Sequence, residues 1–253
     1  MKLFFYPNTS EDRYLPKTMN AIAVLEAKGY DCSLTADDSM KVFHDRDHAR
    51  FSIEESDLIV SLGGDGTLLR AAQEAIRYDL PLTGINCGRY GNLCAYRLNE
   101  IDSFDPAILN ENKAILLETV IDDQDYLAVN DIVIGKDFFG GTIDLETCIN
   151  DKPAFRFIGD GLIVSTPVGS TGYNRSAKGT ILDYAEDKYV VTAICPHNVE
   201  LESTVLNHNK KVNVTLMNKK YGASIYIDGI YIAPFDRLQI RCSDRTLKLL
   251  RKQ

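Results

Sequence analysis

The chain has 253 residues and a formal net charge of −8, with 45% hydrophobic and 25% charged residues. That length suffices for one large domain or two smaller ones with cores of their own, and the composition excludes a disordered chain. The acidic balance leaves no basic footprint for nucleic acid, and no run approaches the roughly 18–20 apolar residues of a membrane span, so a cytoplasmic protein with no membrane partner is expected.

The opening MKLFFYPNTSEDRY breaks at Pro7, too early for a signal-peptide core, and Lys2–Tyr6 reads as a first strand. Leu15–Lys28 places Met19, Ile22 and Leu25 near helical spacing and stops at Gly29, a glycine-ended helix. Strands are expected at Asp31–Leu34, Leu58–Leu62 and Leu82–Ile85, with a helix over Thr67–Arg77. This β-α-β-α-β order predicts an open, mostly parallel sheet with flanking helices. His44 and His48 in FHDRDHARF have the spacing of a two-histidine metal site, but without a third ligand nearby the segment reads as a solvated charged stretch. The six scattered cysteines form no C-x-x-C pair and read as reduced thiols.

Past residue 100 the pattern changes to short, β-branched segments separated by turn residues: Ala114–Ile121, Tyr126–Ile134, Thr142–Ile149, Gly161–Ser165, Tyr189–Ile194, Lys211–Leu216, Ala223–Ile227 and Leu238–Arg241. The expected organisation is an α/β domain over 1–100 and a mainly β, sandwich-like domain over 101–253, with the boundary in Asn99–Pro106. The last ~15 residues are expected to pack back on the first domain.

Three stretches carry candidate chemistry. Gly63-Gly64-Asp65-Gly66-Thr67 joins an apolar strand to a helix, where unpaired N–H groups and the helix dipole favour a phosphate and glycines let it approach. Asp65 would repel a phosphate, so it either caps the helix starting near Thr67, accepts a hydrogen bond from an attacking hydroxyl, or holds Mg²⁺ through water. No G-x-x-x-x-G-K-[ST] is present, and no G-x-G-x-x-G follows the first strand, so neither a P-loop nor an ordinary dinucleotide fingerprint is supported. In Leu127–Val133, adjacent Asn130 and Asp131 interrupt an apolar strand and suit the two hydroxyls of a ribose, or mark a turn. GDGLIVSTPVGSTGYNRSAKGT, residues 159–180, is crowded with Gly, Ser and Thr beyond the needs of a plain turn, and Tyr173 offers a stacking face.

In this order the three stretches resemble the NAD kinase family, over about residues 56 to 180, and Asp228-Gly229 matches a D-G of that family's C-terminal domain. The resemblance implies phosphorylation of the adenosine ribose 2′-hydroxyl of NAD, with ATP as donor and Mg²⁺ on its phosphates, at an active site in the cleft between the two domains. It implies Asp65 as catalytic base, Gly63, Gly64, Gly66 and Thr67 as the phosphate turn, and Asn130, Asp131, Asp160, Thr171, Tyr173 and Ser176 as contacts to NAD. It also implies a homodimer or homotetramer. Three departures stand out: Asn92 in place of an aromatic residue, Ile158 in place of an arginine, and Lys178 in place of a glycine. Arg89, Arg156 and Lys178 are therefore candidate charge contacts. GGDGT is shared with diacylglycerol-type lipid kinases, which is the alternative enzyme reading, and the departures motivate a second alternative, a catalytically inactive NAD(P)-binding protein.

Overall fold

A computed structural model describes residues 1–8, 14–34, 50–88, 91–137 and 141–252; His44, His48 and Arg89 lie outside them. The chain divides into two compact units, Met1–Lys113 with Leu247–Gln253, and Ala114–Thr246.

In the first unit, short apolar runs become strands buried on both faces, as a parallel sheet requires. Strands β1 (Lys2–Pro7), β2 (Asp31–Leu34), β3 (Leu58–Gly63) and β4 (Leu82–Asn86) pair in parallel, in the order β4-β3-β1-β2. The last residues of the chain add to β4, with Leu249 opposite Leu82, and β5 (Tyr96–Arg97) also lies parallel to β4. Helix α1 (Tyr14–Ala27) buries Ala21, Ile22 and Leu25 in a core shared with Leu3, Phe5, Leu58, Val60, Leu62 and Phe104. Gly29 follows it with φ of 89°, a left-handed residue at a helix end. Helix α2 spans Asp65–Arg77 and buries Leu68, Ala71, Ala72, Ala75 and Ile76, the helical period of its sequence. It starts two residues before the expected Thr67, because Gly64 already has the extended backbone of an N-cap.

The second unit is a sandwich of antiparallel strands. One sheet has the order β13 (Thr204–Asn207), β12 (Lys188–Ile194), β11 (Gly161–Ser165), β8 (Asp131–Lys136), β15 (Ala223–Ile227), β16 (Ile230–Pro234). The other contains β10 (Lys152–Gly159), β9 (Ile143–Ile149), β14 (Lys211–Leu216) and β17 (Arg237–Arg251), with β6 (Asn110–Ile121) beside β17 and β7 (Gln124–Ala128) beside β6. Alternate residues of both sheets meet in one core: Ile132, Ile134, Leu162, Val164, Val191, Ile225 and Ile227 face Leu145, Val212, Val214, Leu238 and Ile240. The run Tyr126–Ile134, expected as one strand, is two: β7 ends at Ala128, and the chain turns through Val129-Asn130 before β8. Among the described residues of this unit, three strands have no counterpart in the sequence reading, β10, β13 and β16.

Candidate active site

The period of two that fills the sandwich core also builds a pocket on the opposite face of the six-stranded sheet. While Ile132 and Ile134 point inward, Asp131, Val133 and Gly135 of the same strand point outward, as do Tyr226 of β15 and Ile194 of β12. Together with Asn130, Lys136, Asp160, Tyr173, Asp228 and Gly229 they line a cavity of about 550 Å³, within the range usual for small-molecule sites. On the neighbouring strand a Cβ on Gly161 would strike the Ile134 carbonyl, whereas one on the cavity residue Gly135 would make only an ordinary contact with the Tyr226 ring at 3.7 Å.

The polar groups of this cavity are unusual. Asn130 Oδ1 is buried and without a hydrogen-bond partner among the described residues, an acceptor left open toward a donor. Asp131 is 7% exposed, and burial, with the neighbouring Asp228 carboxylate adding to it, pushes its carboxyl up to about 7. Asp228 accepts three consecutive backbone N–H groups, from Val129 at 2.9 Å, Asn130 at 2.7 Å and Asp131 at 3.2 Å. Burial raises its carboxyl too, and those three donors oppose the rise. Across the cavity Lys136 Nζ lies 2.6 Å from Asp160 Oδ1, and the Lys136 N–H donates to the Asp160 carbonyl at 3.0 Å. Tyr173, half exposed at the rim, has its hydroxyl pKa raised by burial and then by Cys195, Asp160 and Asp131.

The segment 165–180 is fixed from beneath. Thr166 Oγ1 donates to the Val129 carbonyl at 2.6 Å and its N–H to the Asn130 carbonyl at 2.9 Å. Asn174, fully buried, donates to the Ser170 and Thr180 carbonyls at 3.1 and 2.9 Å and accepts from Thr192 Oγ1 at 2.7 Å. Cβ atoms on Gly169 and Gly179 would run into Asn130 backbone and Asn174 side chain. Most of the glycine, serine and threonine content of this stretch therefore serves close packing of chain against chain. Thr171 and Ser176 lie on the Gly169–Thr171 turn and on the short helix α3 (Tyr173–Ser176), and neither lines the cavity.

In the first unit, the five residues of GGDGT divide their work. Gly63 has Thr67 packed where its Cβ would be, and buried Thr67 in turn accepts from Arg70 at 3.4 Å. Gly64 and Gly66 have open space at their Cβ positions, so a ligand can reach the first N–H groups of α2, which a helix leaves unpaired. Asp65 is the first residue of α2 and not its cap. Its Oδ2 accepts the Asn92 N–H at 2.9 Å and its Oδ1 the Leu93 N–H at 3.2 Å. Gly91 permits this approach, since a Cβ there would collide with Asn86 and come within 3.2 Å of Asp65 Oδ1. The loop is tied again by Arg251, whose guanidinium donates to the Asn92 carbonyl at 2.8 Å.

Of the expected contacts, Asn130, Asp131, Asp160 and Tyr173 converge on one cavity. Arg156 is engaged elsewhere: its guanidinium forks onto Asp144 of β9 at 2.9 and 2.7 Å on the exposed side of the β9–β10 ribbon. Lys178 is exposed, at φ of 64°, a left-handed conformation that glycine takes without strain. The cavity residues Lys136, Val133, Ile194 and Tyr226 were not singled out from sequence; their one signal was their alternation with core positions, visible only when the inner face of each strand is known. Among the described residues no group of three His, Cys, Asp or Glu side chains stands ready to hold a metal ion, and no helix is long and apolar enough to cross a membrane.

Two family models match the chain, the ATP-NAD kinase N-terminal domain over residues 8–113 and the ATP-NAD kinase C-terminal domain over 129–252. The chain is 34% identical to an NAD kinase of Sulfurimonas denitrificans over 79% of its own length and 73% of the relative's. It is 31% identical to an NAD kinase of Ruminiclostridium cellulolyticum, covering 99% of this chain and 92% of that one. Among solved structures, yeast NADH kinase complexed with NADH superposes with a TM-score of 0.81 at 18% identity, covering all of this chain and 84% of that one. An NAD kinase from Archaeoglobus fulgidus in complex with ATP gives 0.75 at 22% identity, over all of this chain and 94% of the other.

Proposed function

This chain belongs to the NAD kinase family, and from that premise we infer that it transfers the terminal phosphoryl group of ATP to the adenosine ribose 2′-hydroxyl of NAD, giving NADP. The observation that carries the reading is the cavity of the second unit, lined by Asn130, whose buried Oδ1 lacks a partner among the described residues, and by the buried Asp131, whose carboxyl is raised to about 7. Together they can accept from and donate to the paired hydroxyls of a ribose, and Tyr173 at the rim can cover a ring. Asp160, with its charge answered by Lys136, faces the same ligand.

Asp65 is assigned the acceptor's proton. Two backbone N–H groups fix both carboxylate oxygens and leave each a further lone pair, so the group is oriented before substrate arrives. Gly64 and Gly66 admit the donor's phosphates to the start of α2. Phosphoryl transfer relies mainly on positioning and charge stabilisation, which such a preset turn supplies. A magnesium ion carried on the phosphates needs only one or two protein carboxylates, and Asp65 fits that requirement. Such an ion would neutralise charge on the transferring group.

A cytoplasmic setting suits the six free cysteines. A dimer or tetramer of identical chains is proposed too, supported by the exposed Ile230 and Tyr231 on edge strand β16; sedimentation velocity of the purified chain reads it, and a monomer at enzyme-assay and higher concentrations would refute it. The deciding test of function is an incubation with NAD, ATP and Mg²⁺ coupled to an NADP-specific dehydrogenase. Product from the wild type and none from Asp65→Asn is expected; no product from a wild type that binds NAD would overturn the kinase reading.

A further inference from the structure

The Asp228-Gly229 dipeptide forms the tip of the β15–β16 hairpin, with φ of 49° and 81°. Gly-Gly or Asn-Gly would serve such a turn equally well, since its only demand is a left-handed backbone. The turn therefore accepts an aspartate but does not require its carboxylate. Moreover, Asp228 stands against a second buried acid, Asp131, and raises that neighbour's pKa, an electrostatic cost that a packing role would avoid.

What the carboxylate does is collect three consecutive N–H groups, from Val129, Asn130 and Asp131, 97 to 99 residues earlier in the chain. Successive backbone donors of this kind form an anion-binding nest, here filled by the protein's own side chain. The Asp228 N–H closes the link by donating to the Asp131 carbonyl at 3.0 Å. Thr166 holds the same turn from its other side through the Val129 and Asn130 carbonyls. Donors and acceptors of the turn's backbone are thus consumed by the scaffold, while the Asn130 side-chain oxygen, on a residue that lines the cavity, is buried without a partner among the described residues.

We propose that Asp228 is a positioning residue for the dinucleotide, clamping the Val129–Asp131 backbone so that Asn130 and Asp131 are held ready for ligand. This rests on the reading of the cavity as the NAD site. Two variants keep the hairpin while altering the clamp: Asp228→Asn retains one acceptor oxygen, and Asp228→Gly retains none. Each is compared with wild type by NAD titration calorimetry, by kcat and KM for NAD and for ATP, and by thermal unfolding. Asp228→Gly is expected to raise both the NAD Kd and KM by roughly 30-fold, with kcat and the ATP KM within about threefold, and Asp228→Asn to fall between it and the wild type. A purely structural role would lower Tm and leave the NAD KM of the folded enzyme unmoved. An NAD Kd and KM within about twofold of wild type in Asp228→Asn overturns the proposal, even if Asp228→Gly fails to fold. If the wild type binds NAD without forming NADP, the kinase reading fails while Kd still decides the clamp; if it binds no NAD, both fail.

Discussion

Replacing Asp131 by Asn should make the second unit more stable, and increasingly so as pH rises. The carboxyl is buried, and burial together with Asp228 moves its pKa from 3.8 to about 7. A carboxyl whose folded pKa lies above its unfolded value favours the folded state in full only below about pH 4, and that contribution is lost as pH climbs to about 7. Each tenfold change in proton affinity is about 1.4 kcal/mol, so burying this carboxyl costs on the order of 4 kcal/mol at pH 8, where it is mostly ionised, and roughly half of that at pH 5.5, where it must take up a proton on folding. Asparagine has the same shape and no charge to desolvate. The advantage of Asp131→Asn over wild type should therefore grow by about 2 kcal/mol between pH 5.5 and pH 8. Urea unfolding followed by circular dichroism at the two pH values measures it. The variant should at the same time bind NAD more weakly, since the acid proposed to meet the ribose hydroxyls is gone, a trade of activity for stability often seen at binding sites. An advantage that is equal at the two pH values, or a variant less stable at pH 8, would refute the argument that Asp131 is held buried against its charge.

Asp65→Asn should lower kcat by roughly 10²–10⁴-fold, the usual reach of a positioned acid or base, and leave NAD affinity within a few-fold; comparable turnover would remove its assigned role. Lys178→Gly should raise stability by about 1 kcal/mol, because the position is left-handed at φ of 64° and the lysine gains no ion pair that would repay the strain among the described residues; an unchanged or lower unfolding midpoint would contradict this. Asn174→Ala should cost about 3 kcal/mol, since it leaves the Ser170 and Thr180 carbonyls and the Thr192 hydroxyl without their buried partner. A loss below about 1 kcal/mol in denaturant unfolding would show that water replaces the side chain there.

The sequence by itself determined whatever local chemistry and period fix. The runs Leu58–Leu62 and Leu82–Ile85 are apolar throughout and become strands buried on both faces. The glycines of GGDGT mark a strand turning into a helix, and Gly161–Ser165 and Ala223–Ile227 fall where their β-branched residues place them. The motif order gave the family, and four of the expected ligand contacts meet in one cavity. Tertiary structure decided the rest. Whether Asp65 caps its own helix was open in sequence, and the answer lies in N–H groups 27 and 28 residues away. Edge strands β13 and β16 escaped notice because their outer faces are solvated and their apolar pattern is short. Arg156 was drawn to Asp144 by a strand pairing that no motif records. The properties of Asp131 have the same origin. Nothing in Asn130-Asp131 announces a buried acid, because burial and the Asp228 charge arrive only when a hairpin nearly a hundred residues further on folds against the turn. Desolvation and long-range hydrogen bonding are properties of the assembled surroundings and not of a residue's neighbours in sequence, so only the folded chain can set them.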